Sequence, residues 1–258
     1  MKVVMLRFPH LAEQILQKLN NEGLAKSREV KQCWQTFIDE RDYPWLRIVN
    51  IPTVLAKEKM YLHLAAEHGQ IEAFEMILNE DNNADPKDDW GTTPYLIACK
   101  KGRMNIVSML MKNSKELKVD LNKRDNSRRT AFHLACEEGH SDIATLIMKN
   151  SSKLKINLNT KHSGGGTAFH EVCFGGHSEI AEIMMKKSSK LKINFSTKDN
   201  RDNTGFHSAC FKGHFEIVKM ILENSPRLQI DLNKKDIGGC TGFELAIMYG
   251  HLNIAEMV

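Results

Sequence analysis

From residue 60 onward the apolar positions of the chain fall into pairs of short helical stripes divided by polar turns. One pair shows the form. Thr130 precedes an apolar stretch (Ala131, Phe132, Leu134, Ala135, Cys136) that ends at Gly139, and Ser141 then opens a second stretch whose Ile143, Ala144, Leu146 and Ile147 share one helical face. Asp125, Asn126, Ser127, Arg128 and Arg129 form a turn-rich finger ahead of the threonine, and Gly139 suits the left-handed backbone that commonly closes a helix. Related stretches carry Gly69, Gly102, Gly176, Gly213 and Gly250, so the glycine recurs once after 33 residues and thereafter every 37. A fixed period of this size marks a repeat architecture. A helix pair cannot bury its apolar surface alone, so neighbouring pairs must stack to make a core. The expected fold is all-α, a solenoid of about six units.

Residues 8–52 have a different pattern and are expected to form a separate small helical domain, with 53–258 as the array and its last unit incomplete after Gly250. A helix starting just after Pro9 carries Leu11, Ile15, Leu16 and Leu19 on one face. Asn20, Asn21, Glu22 and Gly23 supply turn and cap residues, and Leu24 begins a second apolar segment. Val30, Cys33, Trp34, Phe37 and Ile38 make the broad apolar stripe of a third helix. Pro44 and Pro52 punctuate the end of the segment, leaving Trp45, Leu46, Ile48, Val49 and Ile51 to pack beneath the first unit.

The recurring stretches resemble ankyrin repeats, whose signature is Thr-Pro-Leu-His-x-Ala. Here it reads Met60 to Ala65, Thr93-Pro94-Tyr95-Leu96-Ile97-Ala98, Thr130 to Ala135, Thr167-Ala168-Phe169-His170-Glu171-Val172, Thr204 to Ala209, and Thr241-Gly242-Phe243-Glu244-Leu245-Ala246. The N-terminal segment resembles an F-box: Phe8-Pro9 stands where that family opens with Leu-Pro, and Ile15, Leu16, Leu19, Leu24, Val30, Trp34 and Phe37-Ile38 come after it, with Trp45 near the close. That resemblance implies docking on the Skp-type adaptor of a cullin-RING ubiquitin ligase, with Pro9, Leu16, Leu19, Val30 and Trp34 as adaptor contacts. A helical cap that only shields the first unit is the alternative for the same residues.

Composition narrows the function classes. Thirty-six basic against 32 acidic side chains leave a net +4, too slight an excess to argue for nucleic acid without clustering. Lysines do recur between units, at Ser114 to Lys118, Ser151 to Lys155 and Ser188 to Lys192, but acidic residues interleave them, and steep salt dependence would be the mark of nucleic-acid binding there. These inserts each carry a leucine (Leu117, Leu154, Leu191, and Leu228 in the next copy), which is expected to fold back from a loop onto the helix layer. No apolar run approaches the roughly 20 residues of a membrane span, and Met1 to Phe8 is too short for a signal peptide's apolar region. A cytosolic or nuclear protein is expected.

Cys99, Cys136, Cys173 and Cys210 lie 37 residues apart and so occupy one equivalent site, which Ala66 and Ile247 fill elsewhere. Structural packing is the reading favoured over disulfides or metal ligation. His133, Cys136 and His140, and their equivalents, have the spacing of a metal-ligand set, but the three side chains are expected to diverge, so no metal or cofactor is assigned. Gly164, Gly165 and Gly166 lack the lysine of a phosphate loop and read as a finger tip. Nothing marks the chain as an enzyme.

Function is therefore expected on the surface, where the copies disagree. After the conserved small pair, one column reads Lys100-Lys101, Glu137-Glu138, Phe174-Gly175, Phe211-Lys212 and Met248-Tyr249. Phe174, Phe211, Met248 and Tyr249, framed by Trp90, Arg128, Arg129, His162, Asn200 and Arg201 on the fingers, are the candidate contacts for a protein target on the concave face. Burial of Phe174 and Phe211 between units is the competing reading. Arg128 and Asp202 stand where other fingers have Gly91, Gly165 and Gly239, a strained choice if the backbone there is left-handed. Two functions fit: a substrate-recognition subunit of a ubiquitin ligase, or a scaffold or inhibitor with no ubiquitin role.

Overall fold

The computed structural model describes residues 62–81 and 83–257. The segment 8–52, and with it Pro9, Leu16, Leu19, Val30 and Trp34, lies outside the described residues. Those described are helices joined by turns, with no strand among them. A helical stretch at 62–68 pairs with α1 (Ile71–Asp81). The next pairs are α2 (Pro94–Lys100) with α3 (Met104–Lys112), α4 (Ala131–Glu137) with α5 (Ser141–Leu154), and α6 (Ala168–Gly175) with α7 (Ser178–Lys186). After the short α8 (Ser188–Leu191), α9 (Gly205–Lys212) pairs with α10 (Phe215–Leu228) and α11 (Gly242–Met248) with α12 (Leu252–Ala255). First helices pack on first helices, in the order α2, α4, α6, α9, α11, and second helices on second, α1, α3, α5, α7, α10, α12. No helix among the described residues is long and apolar enough to cross a membrane.

From α2 on, each first helix starts at a threonine whose backbone is still extended, as at Thr130 (φ −94°, ψ 169°) and Thr167 (φ −104°, ψ 171°). Three residues on, a histidine closes a reciprocal cap: Nδ1 of His133 accepts from the Thr130 N–H at 3.3 Å and lies 2.8 Å from its Oγ1. His170 and His207 repeat this, and Glu244 does the same for Thr241 at 2.6 Å. Caps of this kind satisfy amides that the helix leaves without partners.

The stack buries a continuous core. Cys99, Cys136, Cys173, Cys210 and Ala66 are fully buried, and all four thiols are free. Burial pushes the Cys136 and Cys173 thiols up and that of Cys210 to about 12, so they stay protonated and pack as small apolar groups. Ile247, at the equivalent site, is exposed because no described helix packs on that side of α11. On the second helices Ile143, Ala144, Ile147, Ile180, Ala181, Ile217 and Val218 are buried, while Leu146, Ile183 and Met220 pack at the margin. Large side chains face small ones across units: a Cβ on Gly205 would lie 2.6 Å from the Phe169 ring, and one on Gly242 2.6 Å from that of Phe206.

Three of the four inserts are helical: in α5 and α10 they prolong the second helix to 14 residues, and after α7 they form α8, while Ser114 to Lys118 stays a run of turns after α3. A serine begins each: Oγ of Ser114, Ser151 and Ser225 donates to the carbonyl three residues back, at 3.1, 2.8 and 2.9 Å. In α10 that bond satisfies the Leu222 carbonyl, which Pro226, lacking an N–H, leaves free. Leu117, Leu154, Leu191 and Leu228 pack against the core as expected. The extensions end at left-handed residues, Lys118, Lys155, Lys192 and Gln229, with φ 52–54°.

The fingers share one turn and are joined tip to tip. Asp88, Asp125, Asp199 and Asp236 each accept through Oδ1 from the amide four residues on, at 2.7–2.8 Å. Successive tips exchange a backbone bond: Asn126 N–H to the Trp90 carbonyl, Ser163 to Ser127, Asn200 to Gly164 and Ile237 to Arg201, at 2.9–3.0 Å. Arg128 (φ 62°) and Asp202 (φ 61°) keep the left-handed geometry of Gly91, Gly165 and Gly239. The turn is retained and the strain accepted. A left-handed non-glycine residue costs about 1–2 kcal/mol, offset in part by the roughly 0.5–1 kcal/mol of extra chain entropy that glycine loses on folding. Arg128→Gly should therefore raise stability by about 0.5–1 kcal/mol in urea unfolding; a loss would mean that the Arg128 side chain itself supports the fold.

Candidate functional site

Between units, the second conserved histidine does most of the joining. Nε2 of His140, His177, His214 and His251 donates to the carbonyls of Lys100, Glu137, Phe174 and Phe211 in the preceding unit, at 2.9–3.1 Å. Arg103 takes the same place on the Glu67 carbonyl at 2.7 Å. Each ring lies flat on the preceding left-handed glycine: a Cβ on Gly102, Gly139 or Gly176 would meet His140, His177 or His214 at 2.5–2.7 Å. The carbonyls held in this way belong to the variable column at the ends of the first helices, so its residues have their backbone pinned and their side chains left over.

Those side chains form a ladder. Phe174 and Phe211 are stacked with centroids 6.5 Å apart and planes 15° apart, and Phe211 meets Tyr249 edge-on at 4.5 Å. Lys212 Nζ sits 4.2 Å from the Phe174 centroid and 5.6 Å from that of Phe211. Phe174 is 49% exposed, Tyr249 53% and Met248 67%, while Phe211 is half-buried between its neighbours. Aromatic contacts of this type contribute about 0.5–1.5 kcal/mol each beyond area burial, so the rings hold one another in place while keeping open faces.

The finger base borders the same column. Arg129 bonds Asp125 at 2.8 Å and reaches Glu137 at 3.0 Å, and Cys240 Sγ lies 3.9 Å from Met248 Sδ. Arg129 is thus committed to its own unit, whereas Arg128 and Arg201 are exposed on tips two units apart, with the 162–166 finger between them. Trp90, 73% exposed, stands on the tip before the Arg128 finger. Of the expected contacts, Phe174, Phe211 and Tyr249 come together directly, Met248 lies beside Tyr249 in sequence at the same end, and Trp90 stands apart from them on an earlier unit.

The histidines that imitate a ligand set go to separate places. His133 is buried on Thr130, Cys136 is in the core, and His140 reaches back to Lys100. Among the described residues no cluster of three or more histidine, cysteine or acidic side chains is placed to hold a metal. For His162, expected only as a finger-tip residue, sequence reasoning missed the partner, Glu171. His162 replaces the finger aspartate, with Nδ1 accepting from the Gly164 N–H at 2.9 Å and Nε2 2.9 Å from Glu171 Oε1. The His133 ring lies edge-on at 5.7 Å. The signal available was the break in the aspartate column at 162.

A family model for ankyrin repeats matches residues 62–160 and 151–236. The chain belongs to the ankyrin-repeat family. No curated protein matches it. Among solved structures it resembles a chain from the complex of a predatory endopeptidase of Bdellovibrio bacteriovorus with an immunity protein, at 21% identity and a TM-score of 0.62. The match covers 76% of this chain and 95% of that one, and at this identity it speaks for the fold. Ankyrin arrays are protein-binding modules, and in this one the recurring residues carry the stack while the variable column faces out.

Burial lowers the capping histidines of the ankyrin units, His133 to about 4 and His170 and His207 in the same direction. Burial alone would raise the Glu171 carboxyl, but the His162 hydrogen bond and charge outweigh it and bring it below the usual range. Below the unfolded histidine value of about 6.5 the unfolded chain takes up protons that the native caps refuse, so stability is full above that pH and falls as pH drops toward 4. Glu171 adds a loss only at lower pH, as its own carboxylate is protonated. The urea midpoint should be lower at about pH 5 than at about pH 7.5; equal midpoints would contradict the neutral caps.

Proposed function

We propose that this chain is a non-catalytic recognition protein that works in the cytosol or nucleus and holds a protein target on the concave face of its ankyrin array. The observation that carries the reading is the ladder of Phe174, Phe211 and Tyr249, rigidly seated yet open to solvent. Exposed apolar groups that are ordered in advance bind with little entropic cost, and aromatic anchors dominate interface energies. In the same proposal residues 8–52 dock on a Skp-type adaptor through Pro9, Leu16, Leu19, Val30 and Trp34, so that the array presents its target to a cullin-RING ligase. The proline and tryptophan spacing of that segment supports this half of the reading.

Two substitutions test the halves separately. The full-length chain should bind a purified Skp-type adaptor in calorimetry, and Trp34→Ala should abolish the heat; no binding by the unaltered chain would favour a scaffold or inhibitor with a helical cap. Phe174→Ser with Phe211→Ser should cost roughly tenfold or more in affinity for a captured target while the melting midpoint moves little. If the array melts instead, the rings are core and the face is misassigned.

A further inference from the structure

The charges around the ladder are unevenly committed. On the units that carry it, the carboxylates of the finger and first helix are turned onto their own repeat: Glu171 to His162, Asp202 to Lys198 at 3.2 Å, Glu244 to the Thr241 cap, and Asp199 and Asp236 to finger amides. The neighbouring Glu137 is taken by Arg129. On the finger and first helix of the unit that carries Phe211, two cations have no such partner. Lys212 and Arg201, exposed on the unit that carries Phe211, make no ion pair or side-chain hydrogen bond among the described residues, and Lys212 rests only on the Phe174 and Phe211 rings. Among the described residues the free carboxylate in the column is Glu138, one unit back from Phe174, and it limits the basic surface on that side.

We infer that the segment received on this face is an acidic stretch of protein, in which an aromatic or aliphatic side chain lies on the Phe174–Phe211–Tyr249 rings and carboxylates close to it in sequence meet Lys212 at the rings and Arg201 on the finger tip. The inference rests on the reading of this face as a protein-binding site. An ammonium over a ring is attracted to the ring's negative face and keeps its outward side free for an anion. The apolar rings and the unpaired cations together select both parts of such a segment. Opposite charge at a partly exposed rim steers encounter and rejects basic sequences more than it adds affinity, so the selection should weaken with salt.

The test pans a random-peptide display library against the full-length protein and measures the enriched peptides by fluorescence anisotropy. Enriched sequences should place aspartate or glutamate close to phenylalanine, leucine or tryptophan. The Arg201→Glu, Lys212→Glu double variant should bind them at least about tenfold more weakly with an unchanged melting midpoint. Lys212→Gln, which keeps the side-chain stem on the rings, should give a smaller loss in the same direction. Neutral or basic winners, or affinities indifferent to both variants, would overturn the acidic partner and leave the protein-binding reading standing. Failure of any peptide to enrich over the Phe174→Ser, Phe211→Ser variant would overturn both. Tighter binding of a single-stranded oligonucleotide through Arg201 and Lys212 would assign the face to a polyanion instead and also overturn the inference.

Discussion

The array depends on one contact repeated along it, the imidazole of each unit from the third on laid on the glycine of the unit before and bonded through Nε2 to a carbonyl two residues upstream of that glycine, a place that Arg103 fills one unit earlier. The glycine answers two demands at once. Its backbone is left-handed, at φ 69–78° in Gly102, Gly139, Gly176 and Gly213, and its bare face lets the ring come closer than any side chain would allow. In a solenoid each unit is stabilised only through its neighbours. A contact that sets both the spacing and the backbone of the next unit therefore has more effect than its single hydrogen bond, about 0.5–1.5 kcal/mol net, would suggest.

Function arises from the positions this contact leaves free. Its acceptor carbonyls belong to Lys100, Glu137, Phe174 and Phe211, the column in which the units differ. Fixing the backbone there lets side chains vary without disturbing the stack. The Gly139 unit uses the position for an ion pair with its own finger, while the next two use it for rings. The strained left-handed residues belong to the same economy: Arg128 and Asp202 hold a finger turn that tip-to-tip backbone bonds on either side already determine.

Much of the fold was legible in the chain. Threonine, cysteine and glycine at constant spacing locate the cap, core and end of each first helix, because each residue type there meets a local backbone demand. The cysteines read correctly as packing once their common period was seen. The inserts read only in part: their leucines pack on the core as expected, but three of the four are helix and not loop. Ser-Ser-Lys-Leu has one apolar residue and no helical period, so nothing in its pattern announces a helix. Within the site, Phe174, Phe211 and Tyr249 could be proposed from position, but which rings touch depends on rotamers across units, as does the seat of Lys212 over them. The His162–Glu171 pair was hidden for a similar reason, since its partners lie nine positions apart on a finger and a helix.

The most direct test of the account is a double-mutant cycle on the glycine–histidine contact, using Gly139→Ala, His177→Ala and the pair in urea unfolding. With His177 present, Gly139→Ala should cost the left-handed penalty of about 1–2 kcal/mol together with the displaced ring. With His177 already removed it should cost the backbone penalty alone. A coupling of about 1 kcal/mol or more between the two sites is the predicted result. Strict additivity would show that glycine serves only its own backbone, and that the stack is set by something other than this contact.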